Sequence, residues 1–153
     1  MITVEIKKHF ADVPASPSKL QALVRVVCGR FAVSRAVVSI GIVDDMEMRR
    51  LNRKFLGRRA NTDCLSFDLS DEASPGQPRV FDLIVNGELA AREAARRGHT
   101  AAAELALYIV HGLLHQLGFD DATAKQAERM HRMEDEILRD SGYGLVYNTA
   151  ARK

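Results

Sequence analysis

The stretch His111-Gly112-Leu113-Leu114-His115-Gln116-Leu117-Gly118-Phe119-Asp120-Asp121 sets two imidazoles four residues apart, then a glycine, then an acidic pair. Four residues is just over one turn of α-helix, so both imidazoles lie on one face. Gly118 can end that helix by taking a left-handed conformation. The chain can then turn back and offer Asp120 or Asp121 as a third donor. Neutral imidazole is a good ligand for zinc and related transition ions. Two histidines and a carboxylate leave coordination positions open, which suits a catalytic ion, because a structural one normally takes four protein ligands. The bland alternative, two unrelated helical histidines, explains the imidazoles but not the glycine and acid at these offsets.

The spacing is similar to that of the metzincin proteases, whose His-Glu-x-x-His motif carries a glutamate as general base. Here that position is Gly112, so peptide hydrolysis would need a base from elsewhere. The chain instead resembles the YbeY family of rRNA maturation endoribonucleases, whose signature reads His-Gly-x-Leu-His-x-x-Gly-Tyr-Asp-His. His111, Gly112, Leu114, His115, Gly118 and Asp120 match it, with Phe119 for the tyrosine. Leu51-Asn52 and Thr62-Asp63-Cys64-Leu65-Ser66-Phe67 match a second family pattern, and Met130 with Glu134 a third. The resemblance runs in order from about residue 40 to 140. It implies a metal-dependent endoribonuclease acting in rRNA maturation and ribosome quality control, with single-stranded rRNA and the ribosome as partners and Zn2+ as the expected cofactor.

Three departures bear on that expectation. Asp121 stands where the family has a third histidine, and Asp is a competent zinc ligand, so His111, His115 and Asp121 become the expected metal set. A carboxylate there lowers the formal charge of a divalent site by one unit, which predicts a less acidic activated water and more tolerance of harder metals. Asp120, which matches the family, can orient the turn instead. Leu56 stands where the family has an active-site arginine. The third departure is Phe81-Asp82-Leu83 for a Gly-Asp-Ile strand.

Residues 49–59 read Arg-Arg-Leu-Asn-Arg-Lys-Phe-Leu-Gly-Arg-Arg, six of them cationic. Like charges at i,i+4, as in Arg49 with Arg53, mildly oppose a helix. Phosphate contact would compensate by releasing counterions, whereas a merely solvated face would not. The resemblance favours RNA. Arg59 is the expected catalytic replacement for the missing arginine, since guanidinium binds phosphate bidentately. Arg58, Arg49, Arg53, Thr62 and Asp63 are expected to bind substrate. Thr62, Asp63 and Ser66 would shape a cleft floor, or simply bond nearby backbone. Arg92, Arg96 and Arg97 form a weaker basic patch. Few exposed aromatics are evident, so base stacking is not signalled. Glu134 is either a partner for a ligand histidine or a satisfied polar group. His9, His99 and His131 read as surface or capping residues.

The elements that must position these groups are legible from periodicity. Ile2, Val4 and Ile6 alternate as in a half-buried strand. Beyond Pro14, Ser16 or Ser18 can cap a helix to about Phe31. Ala36–Val43 is a continuous β-branched run, as in an interior strand. Asp44 or Asp45 caps a second helix through Phe55. Cys64–Leu69 and Phe81–Val85 read as a hairpin around the loop from Ser70 to Pro78. Gly87–Arg97 reads as a helix. Thr100–Leu117, apolar nearly all round from Leu105 to Leu114, reads as a buried central helix carrying the histidines. A last helix runs from about Thr123 to Arg139, with a flexible tail over 144–153. The expected fold is one α+β domain over 1–153, a small mixed sheet packed against helices.

With 153 residues, 46% apolar and 27% charged, the chain can bury a substantial core, and global disorder is excluded. A net charge of +2 says little about partners. Cys28 and Cys64 form no Cys-x-x-Cys motif and are expected reduced in the core. Neither a signal peptide nor a membrane-spanning run is evident, so a cytoplasmic protein without membrane partners is expected.

Overall fold

The computed structural model describes residues 1–9, 16–71 and 76–144. Pro14, part of the Ser70–Pro78 loop, and the tail beyond Gly144 lie outside the described residues. Four strands form one mixed sheet in the order β1-β2-β4-β3. β1 (Ile2–Lys8) and β4 (Arg79–Asn86) run parallel to β2 (Ala36–Val43) on either side of it, and β3 (Cys64–Asp68) pairs antiparallel to β4. The β-branched run of β2 is thus central, and the hairpin forms as its pattern predicts. β4 starts two residues earlier than the alternation suggests, because Arg79 and Val80 pair with Ala36 and Val37 of β2.

The register puts alternate residues of each strand on opposite faces. Val38, Ile40, Ile42, Phe81, Leu83 and Val85 face the main core, with α1 (Pro17–Arg30), α4 (Ala101–Gln116) and α5 (Ala124–Asp140). Val43, Leu65, Phe67 and Ile84 face the other way, under α2 (Asp45–Leu56) through Met48 and Leu51. Between the two helices α2 and α4 lies the edge strand β3. α3 (Gly87–Arg97) packs along α4.

Each helix starts at a side-chain cap of the expected type: Ser16, Asp44, Asn86, Thr100 and Thr123 accept from backbone amides of the first turn. Eleven residues of α4 are buried, from Ala103 to Leu114, as its unbroken apolar stretch demands. None of the described helices is long and apolar enough to cross a membrane.

Candidate metal centre

α4 brings His111 and His115 to one face, with their Nε2 atoms 3.1 Å apart. Gly118, at φ 101°, turns the chain back. The turn does two things. It places the Phe119 carbonyl 3.2 Å from His115 Nδ1, and it brings Asp121 Oδ2 to 3.8 Å from His111 Nε2 and 3.7 Å from His115 Nε2. Asp120 is not part of this triangle: its Oδ1 accepts from the Asp121 amide at 2.8 Å and so shapes the turn.

Both imidazoles are oriented by what their other nitrogen donates to. His111 Nδ1 lies 2.6 Å from Glu134 Oε2, and His131 Nδ1 lies 2.6 Å from Glu134 Oε1. Glu134 is fully buried on α5, so its carboxylate must be satisfied by donors, and these two supply them. With Nδ1 protonated on both His111 and His115, each Nε2 turns a lone pair toward the same point. Burial disfavours a charged His111. The Glu134 hydrogen bond, and the charges of Glu134, Asp63 and Asp121, outweigh it and raise its pKa above the ordinary value.

The donor set fits a metal ion. Bonds of about 2.0–2.2 Å in a tetrahedral arrangement set donor atoms about 3.4 Å apart, and the three separations bracket that value. Two lone pairs facing one another beside a carboxylate are a poor arrangement for anything but a cation or a proton. Asp121 is 40% exposed, which leaves access from solvent.

Gly112 has a second meaning that its sequence neighbours do not reveal. A Cβ there would lie 2.6 Å from Leu83 Cδ2 and 2.7 Å from Cys64 Sγ. The glycine lets α4 approach the sheet, and its face points into the core, away from any position a general base could use. Nearby, Gln116 Nε2 donates to Ser66 Oγ at 2.9 Å, tying the end of α4 to β3. Both cysteines are free, and burial raises both thiols, Cys64 well above its ordinary value.

A cavity of about 380 Å³ opens beside His111 and reaches Thr62, Asp63, Arg97, Glu104, His131 and Glu134. Thr62 and Asp63 therefore do line a cleft. Their loop is held from below by buried asparagines: Asn52 Nδ2 donates to the Ala60 carbonyl at 2.7 Å, and Asn86 Nδ2 to Asn61 Oδ1 and the Thr62 carbonyl at 3.0 and 3.3 Å. Asp45 joins this anchor. The Arg92 guanidinium, with the Asn86 and Asn61 amides, outweighs burial and holds its carboxyl well below the usual carboxylate range.

The remaining residues divide. Arg49, Arg53, Arg58 and Arg59 are exposed and do not line this cavity, and none has an ion-pair partner among the described residues. The Arg92, Arg96 and Arg97 patch, by contrast, is neutralised by Asp45, Glu93 and Glu104. The surface assignment fails for two histidines: His99 bonds the buried Glu104, and His131 the buried Glu134. His9 is exposed as expected. Few aromatics are exposed, as expected; among the described residues Phe55 stands out at 51%. Asn86, Glu104 and His131 escaped sequence reading. Asn86 alone carried a signal, being an Asn just before an alanine-rich helical stretch.

The architecture and the converging imidazoles define a single-domain α+β protein with a candidate open metal centre on its central helix. The family model described as endoribonuclease YbeY matches residues 3–142. The chain belongs to the YbeY family. It is 38% identical over 152 residues to endoribonuclease YbeY of Moorella thermoacetica, covering 92% of this chain and 96% of the relative. It is 34% identical to that of Chromobacterium violaceum, covering 96% and 87%. The solution structure of TM1509 from Thermotoga maritima superposes with a TM-score of 0.57 at 23% identity, over 92% of this chain and 91% of that one, and so shares the fold.

Proposed function

We propose that this chain is a metal-dependent endoribonuclease of the cytoplasm, acting on single-stranded ribosomal RNA in ribosome maturation and quality control. His111, His115 and Asp121 hold one divalent transition ion, Zn2+ by donor type. The observation that carries the reading is the convergence of three donor atoms, two of them imidazole nitrogens whose tautomers are set by Glu134 and the Phe119 carbonyl. When bound, such an ion supplies Lewis acidity to the phosphate and to the attacking oxygen.

The chain's own residues do the rest. Glu134 keeps the His111 Nε2 lone pair directed at the centre. Thr62 and Asp63 contact the substrate from the wall of the cleft. Arg49, Arg53 and Arg58 hold backbone phosphates, and Arg59 takes the phosphate-orienting role of the arginine that Leu56 replaces. A protease reading is disfavoured by Gly112, because no glutamate fits between Leu83 and Cys64. The second reading, an RNA-binding assembly factor without turnover, is favoured by Leu56 alone.

The test compares metal content and single-stranded RNA cleavage for wild type, Asp121→Ala and Asp121→His. Asp121→Ala is expected to lose most of its metal and its cleavage, and Asp121→His to keep the metal. Full occupancy in Asp121→Ala removes Asp121 from the ligand set. No cleavage by any of the three beyond a nuclease-free control puts the assembly factor first.

A further inference from the structure

Phe55 occupies the core-facing stripe of α2. Met48, Leu51, Asn52 and Phe55 follow the 3–4 spacing of one helical face, and the first three are buried or partly buried under the sheet. Phe55 is 51% exposed and Leu56 47% exposed, at the C-terminal end of α2. Leaving half of an aromatic ring in water forfeits burial that the same stripe gains elsewhere. The ring is nonetheless held. Phe67 of β3 packs against it with centroids 5.6 Å apart in an edge-to-face arrangement. A supported ring with an open side differs from a loose surface phenylalanine.

Its surroundings are cationic. Lys54 Nζ lies 5.4 Å from the ring centroid. Arg53, Arg58 and Arg59 are exposed nearby in the chain and, among the described residues, have no ion-pair partner. The acids of α2, Asp45 and Glu47, sit at its other end and are engaged by Arg92 and Arg50. An aromatic ring fixed among unpaired cations is the combination that single-stranded nucleic acid fits: phosphates meet the cations and a base meets the ring. A purely apolar partner would leave these cations desolvated and uncompensated.

The platform is also on the right strand. Ser66 and Phe67 are consecutive residues of β3 and point to opposite faces. Ser66 is bonded to Gln116 on the α4 side, one residue beyond His115, and Phe67 carries Phe55 on the other. The donor triangle and the ring thus flank one five-residue strand whose outer edge has no neighbouring strand among the described residues.

We propose that Phe55 is a base-stacking platform, which holds an unpaired base of the RNA strand on the far side of β3 from the metal centre. The inference rests on the RNA reading above and adds to it a named contact for an unpaired base. The chain has no tryptophan, so Phe55→Trp installs a single fluorescent reporter at the spot. Emission of Phe55→Trp is to be titrated with oligoadenylate and with an abasic ribose-phosphate oligomer of equal charge. Binding of the same two probes to wild type and Phe55→Leu is to be measured in parallel by anisotropy. Oligoadenylate is expected to quench the tryptophan and the abasic oligomer to leave it bright. Phe55→Leu is expected to bind oligoadenylate about tenfold more weakly and the abasic oligomer unchanged. Unquenched emission in a variant that still binds oligoadenylate overturns the platform and leaves the RNA reading standing. Failure of wild type to bind oligoadenylate at all overturns both. A blue shift that grows with protein concentration in the absence of RNA places a second copy on the ring instead, and also overturns it.

Discussion

Around His111 nearly every polar atom is answered by another protein atom, whereas along the cationic end of α2 the charges are left to solvent. Glu134 accepts from two histidines, Asp121 follows a turn shaped by Asp120, and Gln116 holds Ser66. Arg49, Arg53, Arg58 and Arg59 answer to nothing among the described residues. The first region is preorganised, so its ligand meets donors already in place. The second is long, flexible side chains in a high dielectric, so its interactions are screened, adjustable and sensitive to salt. Chemistry needs the first kind of region, and holding a polyanion of variable sequence needs only the second.

The largest effect is expected from forcing the packed region. Gly112→Glu restores the zincin-like sequence, but its side chain must displace Leu83 and Cys64. A loss of at least about 3 kcal/mol is expected, read as a fall in the urea midpoint, with no gain of casein hydrolysis. Peptidase activity in a folded Gly112→Glu protein would contradict the packing described here. A smaller effect follows from loosening the orientation of the site. Glu134→Gln keeps the size but offers a single acceptor oxygen to two imidazoles. Metal affinity, measured by competition with a chelator, should fall about 10–100-fold. The smallest effect belongs to the open region: Arg49→Ala and Arg53→Ala should leave the melting temperature unchanged. Each should reduce the salt dependence of single-stranded RNA binding by about 0.7 in the log–log slope. A salt slope that does not move would take both residues off the RNA path.

The two regions were also unequally legible in the sequence. Helical spacing was enough to pair His111 with His115, and Gly118 was enough to bring an acid back toward them. The apolar run of α4 and the β-branched run of β2 announced their burial, and both are central. What could not be read depended on contacts between distant segments. The sequence left Glu134 open between a histidine partner and a satisfied polar group, and its bonds to His111 and to His131 exist in this form because α5 docks on α4. Gly112 looks like a missing catalytic residue until the sheet beneath it is seen. Phe55 sits on a stripe that periodicity assigns to the core, yet in the last turn of α2 it is half exposed. Local pattern predicts which face of a helix turns inward, but not how completely the rest of the fold covers it.

The position of Glu134 on α5, which follows α4 in the chain, has a consequence for folding. Synthesis delivers the histidines of α4 first and the carboxylate of α5 later. Until α5 is complete and docked, His111 Nδ1 lacks its acceptor and the imidazole can adopt either tautomer. The donor triangle therefore acquires its final form only when α5 docks on α4. A nascent chain that has released the sheet and α4 carries the ligands without the geometry. Maturation of the centre is thereby tied to the docking of α5.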